Sequence, residues 1–216
     1  MLIAHAGLAP DERVLDIGCG AGRVARPLAA FLSPRGGYIG FDVSRRAVAG
    51  CRRRFARVRP DFAFVHADVR NADYNPRGAI AEPDYAFPCA DATIDLAFAT
   101  SVFTHMRIAP VHRYLAEAAR VLKPGGRLAF TVYLIDAAAH RVLAEGRAGM
   151  AFAPWREGSW VLDPRHPERA IAHDDAAIAA AVAAAGLAAA RPPLAGSWRP
   201  PAAYDGWQDL WVATKR

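Results

Sequence analysis

Asp16, Gly18, Gly20 and Gly22 stand at alternate positions in the run Asp16-Ile17-Gly18-Cys19-Gly20-Ala21-Gly22. Residues without a Cβ let a ligand lie against bare backbone. Ahead of them Val14, Leu15 and Ile17 form a short apolar run, the pattern of a strand buried on both faces. After them Val24, Ala25, Leu28, Ala29, Phe31 and Leu32 mark one apolar face of a helix. A helix starting from such a turn directs free N–H groups and positive partial charge at whatever lies over the glycines. This is the chemistry of a nucleotide-type binding turn.

The spacing narrows the ligand. A dinucleotide fingerprint, G-x-G-x-x-G, requires a third glycine where this chain has Arg23. A second buried strand is expected over 38–44, ending at Asp42, 22 residues after Gly20. A carboxylate at the end of a second parallel strand can accept hydrogen bonds from both hydroxyls of a ribose; the alternative is an aspartate capping the next helix. A third strand over 62–69 carries Asp68 near its end, and a fourth ends at Ala99, Thr100 and Ser101, facing the crevice where ligands sit in open α/β sheets. His105 follows at the mouth of that crevice, and Tyr133 closes the fifth strand.

The pattern Asp16-x-Gly18-x-Gly20-x-Gly22 resembles the first motif of the class I S-adenosylmethionine-dependent methyltransferases. Two further stretches carry the resemblance: residues 87–100, similar to the family's "lPF-x-D-x-s-F-D-l-v" segment, and RVLKPGGRLAFTVY at 120–133, where helix, stop, glycine turn and strand match in register. The likeness covers residues 13–135 well and the C-terminal hairpin loosely. It implies S-adenosylmethionine as cofactor, held by Asp16, Gly18, Cys19, Gly20 and Gly22. It further implies Asp42 on the ribose, Phe41 or Val43 against the adenine, Asp68 on the adenine amino group and the Val69 N–H on the ring. The backbone of Ala99, Thr100 and Ser101 would cradle the methionine part.

With 216 residues, 53% of them hydrophobic, the chain can bury a substantial core and is expected to be one domain, 1–216. The element order predicts a doubly wound, mostly parallel seven-stranded α/β sheet with helices on both faces and a C-terminal antiparallel hairpin. The helix stop expected at Lys123-Pro124-Gly125-Gly126 leads directly into the fifth strand, and residues 70–86 read as a long loop. No apolar run is long enough for a membrane span, and no signal-peptide pattern opens the chain. Cys19, Cys51 and Cys89 are odd in number and widely spaced, which suggests neither a disulfide framework nor a metal site. A cytoplasmic setting is the expectation.

The net charge of +6 is almost all arginine, with Lys123 and Lys215 the only lysines. Arg45, Arg46, Arg52, Arg53, Arg54, Arg57 and Arg59 crowd one predicted helix, whose plain reading is a solvated face. No interleaving of basic and aromatic residues marks a nucleic-acid channel. Only a fragment of a helix fits ahead of the first strand, so either the cofactor site is more open than usual or it is covered by another segment, a second copy of the chain (a homo-oligomer) or a partner. Residues 136–175, broken by glycines and prolines and rich in Met150, Phe152, Trp155 and Trp160, are expected to form an acceptor-binding lid.

The function these features predict is methyl transfer from S-adenosylmethionine to a small-molecule acceptor by in-line displacement. Such chemistry needs alignment and desolvation rather than a covalent nucleophile. An oxygen or nitrogen acceptor also needs a base, for which His105 is the candidate; a histidine packed there for structural reasons is the alternative. Tyr133 is the candidate for orienting the acceptor. The competing readings are a non-catalytic or partner-dependent cofactor-binding relative and an NAD(P)-dependent oxidoreductase.

Overall fold

Side chains that alternate along the central strands feed two apolar layers, one on each face of a sheet. Val14, Leu96 and Phe98 belong to one layer, and Leu15, Ile17, Ala97 and Ala99 to the other. The computed structural model describes residues 1–71, 74–156 and 158–216. Its elements, in chain order, are α1 (Leu2–Ala6), β1 (Arg13–Ile17), α2 (Ala25–Phe31), β2 (Gly37–Asp42), α3 (Arg45–Phe55), β3 (Phe62–His66), β4 (Ile94–Ala99), α4 (Ile108–Val121), β5 (Leu122–Ile135), α5 (Ala137–Ala144), β6 (Ala153–Pro154), β7 (Ser159–Val161), β8 (Ile171–Asp174), α6 (Asp175–Ala184), β9 (Leu187–Ala189) and β10 (Asp209–Lys215).

β3, β2, β1, β4 and β5 lie side by side in that order, all parallel. β10 runs antiparallel to β5, and β9 antiparallel to β10. The strand order reverses between β1 and β4, and a ligand crevice opens at such a switch point. α2 and α3 cover one face with Leu28, Val48, Cys51 and Phe55, while α4 and α6 cover the other with Leu115, Ala118, Ile178 and Val182. No helix among the described residues is long and apolar enough to cross a membrane.

Two details add to the expected architecture. The seven-stranded frame is present, and among the described residues three further strands bring the sheet to ten. β5 is 14 residues long, and only residues 127–132 are in register with β10; residues 133–135 run on and pair in parallel with β8, to which β7 and then β6 add antiparallel. An unpaired strand end is an open edge, and here the chain's own next segment fills it. The second concerns residues 123–126, which follow the expected end of α4 and lie inside β5. The pairing with β4 slips from Ile94–Leu122 to Leu96–Arg127, so the extra residues are accommodated as a bulge.

Three strands of the 136–175 segment, β6, β7 and β8, therefore extend the sheet. His173 on β8 is buried, with Nε2 3.1 Å from the Met106 carbonyl and Nδ1 3.3 Å from Ser159 Oγ. A third apolar cluster, Tyr133, Ile135, Phe152, Ala172 and Trp198, fills the space between β5, this extension and the segment before β10.

At the base of that cluster lies Asp209, fully buried. Its Oδ1 accepts from Gly196 N at 2.9 Å and Arg199 Nε at 2.8 Å, and its Oδ2 from Leu134 N at 2.8 Å and Trp198 Nε1 at 2.9 Å. Arg199 reaches on to Asp136, the residue capping α5, at 2.6 Å. One carboxylate thus joins β5, β10 and the loop between β9 and β10. Replacing Asp209 by Ala should cost about 3–5 kcal/mol of unfolding free energy, the scale for removing one partner of a buried ion pair. Urea denaturation measures it; a much smaller loss would mean that Asp136 alone satisfies Arg199.

Candidate functional site

The glycine turn is gripped by the end of β2. Gly18 N and Cys19 N both donate to the Phe41 carbonyl at 2.9 Å, and Gly20 N donates to Asp42 Oδ2 at 2.8 Å. The other Asp42 oxygen accepts Ser44 N at 2.8 Å, and Ser44 in turn caps α3. Each carboxylate oxygen then has room for a second donor.

Gly18 has a φ of +73°, and a Cβ there would stand 2.5 Å from Val102 Cγ2. Gly20 has a φ of +50°, with no atom within 4 Å of where a Cβ would stand. The first glycine admits the neighbouring loop, and the second leaves the space above it open. Gly22 packs against Cys51 and Phe55 of α3 and serves helix packing instead.

The cavity over this turn has a volume of about 440 Å³. Gly18, Gly20, Phe41, Asp42 and Val43 form its floor and one side. Val69, Arg70 and Asn71 line it beyond β3, Ser101, Val102, His105 and Met106 beyond β4, and Tyr114 projects from α4. Tyr74 and Glu82, from the segment between β3 and β4, complete it. A second cavity of about 350 Å³ shares Arg70, Asn71, Glu82, His105 and Met106 with the first, and Arg107 and Glu168 line its far side.

Of the residues singled out in the sequence, Gly18, Gly20, Phe41, Asp42, Val43, Val69, Ser101 and His105 lie on these walls. Asp16, Cys19, Gly22, Asp68, Ala99 and Thr100 do not. Ala99 is fully buried in the core, and Ser101 and Val102 stand on the wall just after it. Asp68 Oδ1 accepts from Asn75 Nδ2 at 3.0 Å, a bond that holds its carboxyl below the usual range.

Asp16 is buried beneath the turn, where Tyr38 Oη donates to its Oδ2 at 2.6 Å. Burial pushes its carboxyl up to about 7, against the Tyr38 hydrogen bond and with a further push from Asp42. Burial and the nearby Asp16 raise the Tyr38 hydroxyl in the same way.

Tyr133, the candidate for orienting the acceptor, lies away from both cavities. It is buried in the third cluster, with ring centroids 5.1 Å from Phe152 and 5.5 Å from Trp198, and lines neither cavity. As the first residue of β5 past its pairing with β10, it packs the sheet extension in place. His105 is exposed, and its Nδ1 lies 2.8 Å from the Glu168 carbonyl. Because a carbonyl only accepts, Nδ1 carries the proton there and the neutral ring keeps Nε2 as an acceptor.

The short α1 packs Leu2 and Ala6 into the layer that holds Leu210 and Val212, away from the cavity. The 70–86 segment supplies the covering residues that the sequence left unassigned. Tyr74 and Glu82 carry no periodic signal there, and Tyr114 looks like an ordinary core position of its helix. Glu82 makes no hydrogen bond or ion pair among the described residues, and burial raises its carboxyl. No group of His, Cys, Asp and Glu among the described residues is placed to hold a metal ion.

A parallel frame with an antiparallel last strand, a glycine turn at its switch point and an acid at the end of β2 define the Rossmann-like class I methyltransferase architecture. The sequence comparison agrees. A methyltransferase-domain family model matches residues 15–128, and the chain belongs to that family, whose class I members take S-adenosylmethionine as methyl donor. It is 31% identical over 149 residues to phthiotriol/phenolphthiotriol dimycocerosates methyltransferase 1 of Mycobacterium ulcerans, covering 68% of this chain and 45% of that protein. It is 37% identical over 129 residues to trans-aconitate 2-methyltransferase of Methylobacterium nodulans, covering 59% and 41%. The chain spans less than half the length of these relatives. A SAM-dependent methyltransferase from Aquifex aeolicus shares the fold with a TM-score of 0.64 at 17% identity, over 100% of this chain and 88% of that one.

The wall residues suit S-adenosylmethionine. A cavity of about 440 Å³ is within the range of small-ligand sites, its apolar side is Phe41, Val43 and Val69, and its acceptor-rich corner is Asp42.

The buried Asp16 makes stability depend on pH. Its ordinary value of 3.8 is raised to about 7 in the fold, so the folded protein holds this proton more tightly than the unfolded chain. The resulting stabilisation is complete below pH 3.8 and is lost as pH rises through about 7. Melting temperatures between pH 4 and pH 7 should fall for the parent relative to Asp16→Asn; parallel curves would show that Asp16 is not protonated in the fold.

Proposed function

We propose that this chain binds S-adenosylmethionine in the cavity over the glycine turn and methylates a small molecule admitted through the adjoining cavity. The observation that carries this reading is Asp42. Its carboxylate is fixed by the Gly20 and Ser44 N–H groups, lines the cavity and retains an accepting position on each oxygen. Two neighbouring hydroxyls of a ribose match that demand. Phe41, Val43 and Val69 offer the apolar flank for an adenine, with the Val69 N–H for its ring edge, and Asp68 holds the covering segment through Asn75. Gly18, Gly20, Ser101 and Val102 form the wall for the amino-acid end, with Ala99 and Thr100 as its support.

When bound, S-adenosylmethionine supplies a methyl group already activated by its sulfonium charge. The protein's own contribution is alignment and exclusion of water. Tyr74, Met106 and Tyr114 close apolar surface over the cavity. His105 stands where the two cavities meet, and its Nε2 is the position at which an acceptor's proton is taken. Glu82 faces the same junction. The 136–175 segment reaches the acceptor side through Glu168 and fixes His105 through that residue's carbonyl. Support for a small acceptor comes from the names of the relatives and from the modest second cavity, about 350 Å³.

Calorimetric titration with S-adenosylhomocysteine, with NADH in parallel, tests the cofactor assignment. S-adenosylhomocysteine should bind and NADH should not. Asp42→Ala should weaken the former by about 1.5–3 kcal/mol, the scale of a hydrogen bond to a charged group. Binding of NADH in its place would overturn the reading.

A further inference from the structure

Ser101 has a φ of +56°, the left-handed region that non-glycine residues rarely adopt. It lies two residues past β4, on the wall of the cofactor cavity and next to Val102, which closes against Gly18. Backbone strain at such a place persists only where the surroundings hold it.

Three hydrogen bonds do so here. Ser101 N donates to Thr131 Oγ1 at 2.8 Å. Ser101 Oγ donates to Gln208 Oε1 at 3.0 Å, and Thr131 Oγ1 donates to the same oxygen at 2.5 Å. An amide oxygen has two accepting positions, and both are filled. Thr131 is in the middle of β5, and Gln208 immediately precedes β10. The wall residue after β4 is thus tied across two further strands to a side chain 107 positions away.

We propose that Gln208 is a positioning residue for the cofactor cavity. Its carbonyl oxygen orients the Thr131 and Ser101 hydroxyls, and these hold the backbone at 101 in the left-handed conformation that shapes the wall. Without that acceptor Ser101 relaxes towards ordinary φ, and Val102 shifts against Gly18. The inference rests on the reading of this cavity as the S-adenosylmethionine site.

The test is calorimetric titration with S-adenosylhomocysteine, with a thermal melt of every variant. Gln208→Leu keeps most of the side-chain volume but removes the acceptor, and should weaken binding about tenfold, or about 1.4 kcal/mol. Adding Ser101→Gly to that variant should restore much of the loss, because glycine adopts positive φ without a tether. Rescue separates positioning from general destabilisation, which a glycine would deepen. Should Gln208→Leu not fold, Ser101→Ala and Ser101→Gly give the same comparison, since both lack the hydroxyl and only alanine carries the strain. Alanine should then bind more weakly than glycine.

Unchanged affinity in folded Gln208→Leu, a loss that glycine does not relieve, or equal affinities for the alanine and glycine variants would overturn the proposal. Absence of binding by the parent protein would be a different result. It would refute the cofactor assignment and this inference with it.

Discussion

The Phe41 carbonyl and the Asp42 carboxylate together take the N–H groups of Gly18, Cys19 and Gly20, and every other feature of the site depends on that grip. A turn with positive φ at alternate residues has no regular hydrogen-bond ladder of its own, so its donors need partners from elsewhere. The end of β2 supplies them, which fixes the turn relative to the strand carrying the candidate ribose acid. The same carboxylate holds the turn and lines the cavity. The arrangement is possible because β1 and β2 are parallel neighbours with Ile17 opposite Phe41, so that the two strands end side by side.

Beneath the turn, the Asp16–Tyr38 pair fills the space that glycines cannot. Gly40 sits on β2 where any side chain would strike the Tyr38 hydroxyl or Cys19. A polar pair under a ligand-binding loop is held by burial and one strong hydrogen bond, and neither partner contacts the cavity. The first acid of the motif therefore lies under the loop, while the acid on the second strand lines the cavity.

Much of this was legible in the sequence because local chemistry dictated it. The glycines demanded positive φ, the apolar run before them demanded a buried strand, and Asp42 fell at the end of the next strand. Legibility ended where tertiary pairing decides. Tyr133 looked like a residue at a strand's functional end, but β5 continues two residues further and turns it into a packing residue. Asp68 stood at the expected position, and Asn75, seven residues on, claimed its carboxylate. Nothing in the composition of 70–86 marks Tyr74 or Glu82 as cavity walls. Nor does any local pattern connect Ser101 with Gln208, since that contact exists only once β10 lies beside β5.

The pairing of β8 with the overrunning end of β5 has a consequence for how the molecule opens. A segment that hydrogen-bonds into the central sheet, and whose His173 is sealed against Met106, belongs to the same cooperative unit as the sheet. Amide protons of β8 should therefore exchange with solvent only through an opening that also exposes β5. The segment that lends Glu168 to the second cavity is thus anchored in the scaffold, and evolution can alter it only by changes that the sheet itself tolerates.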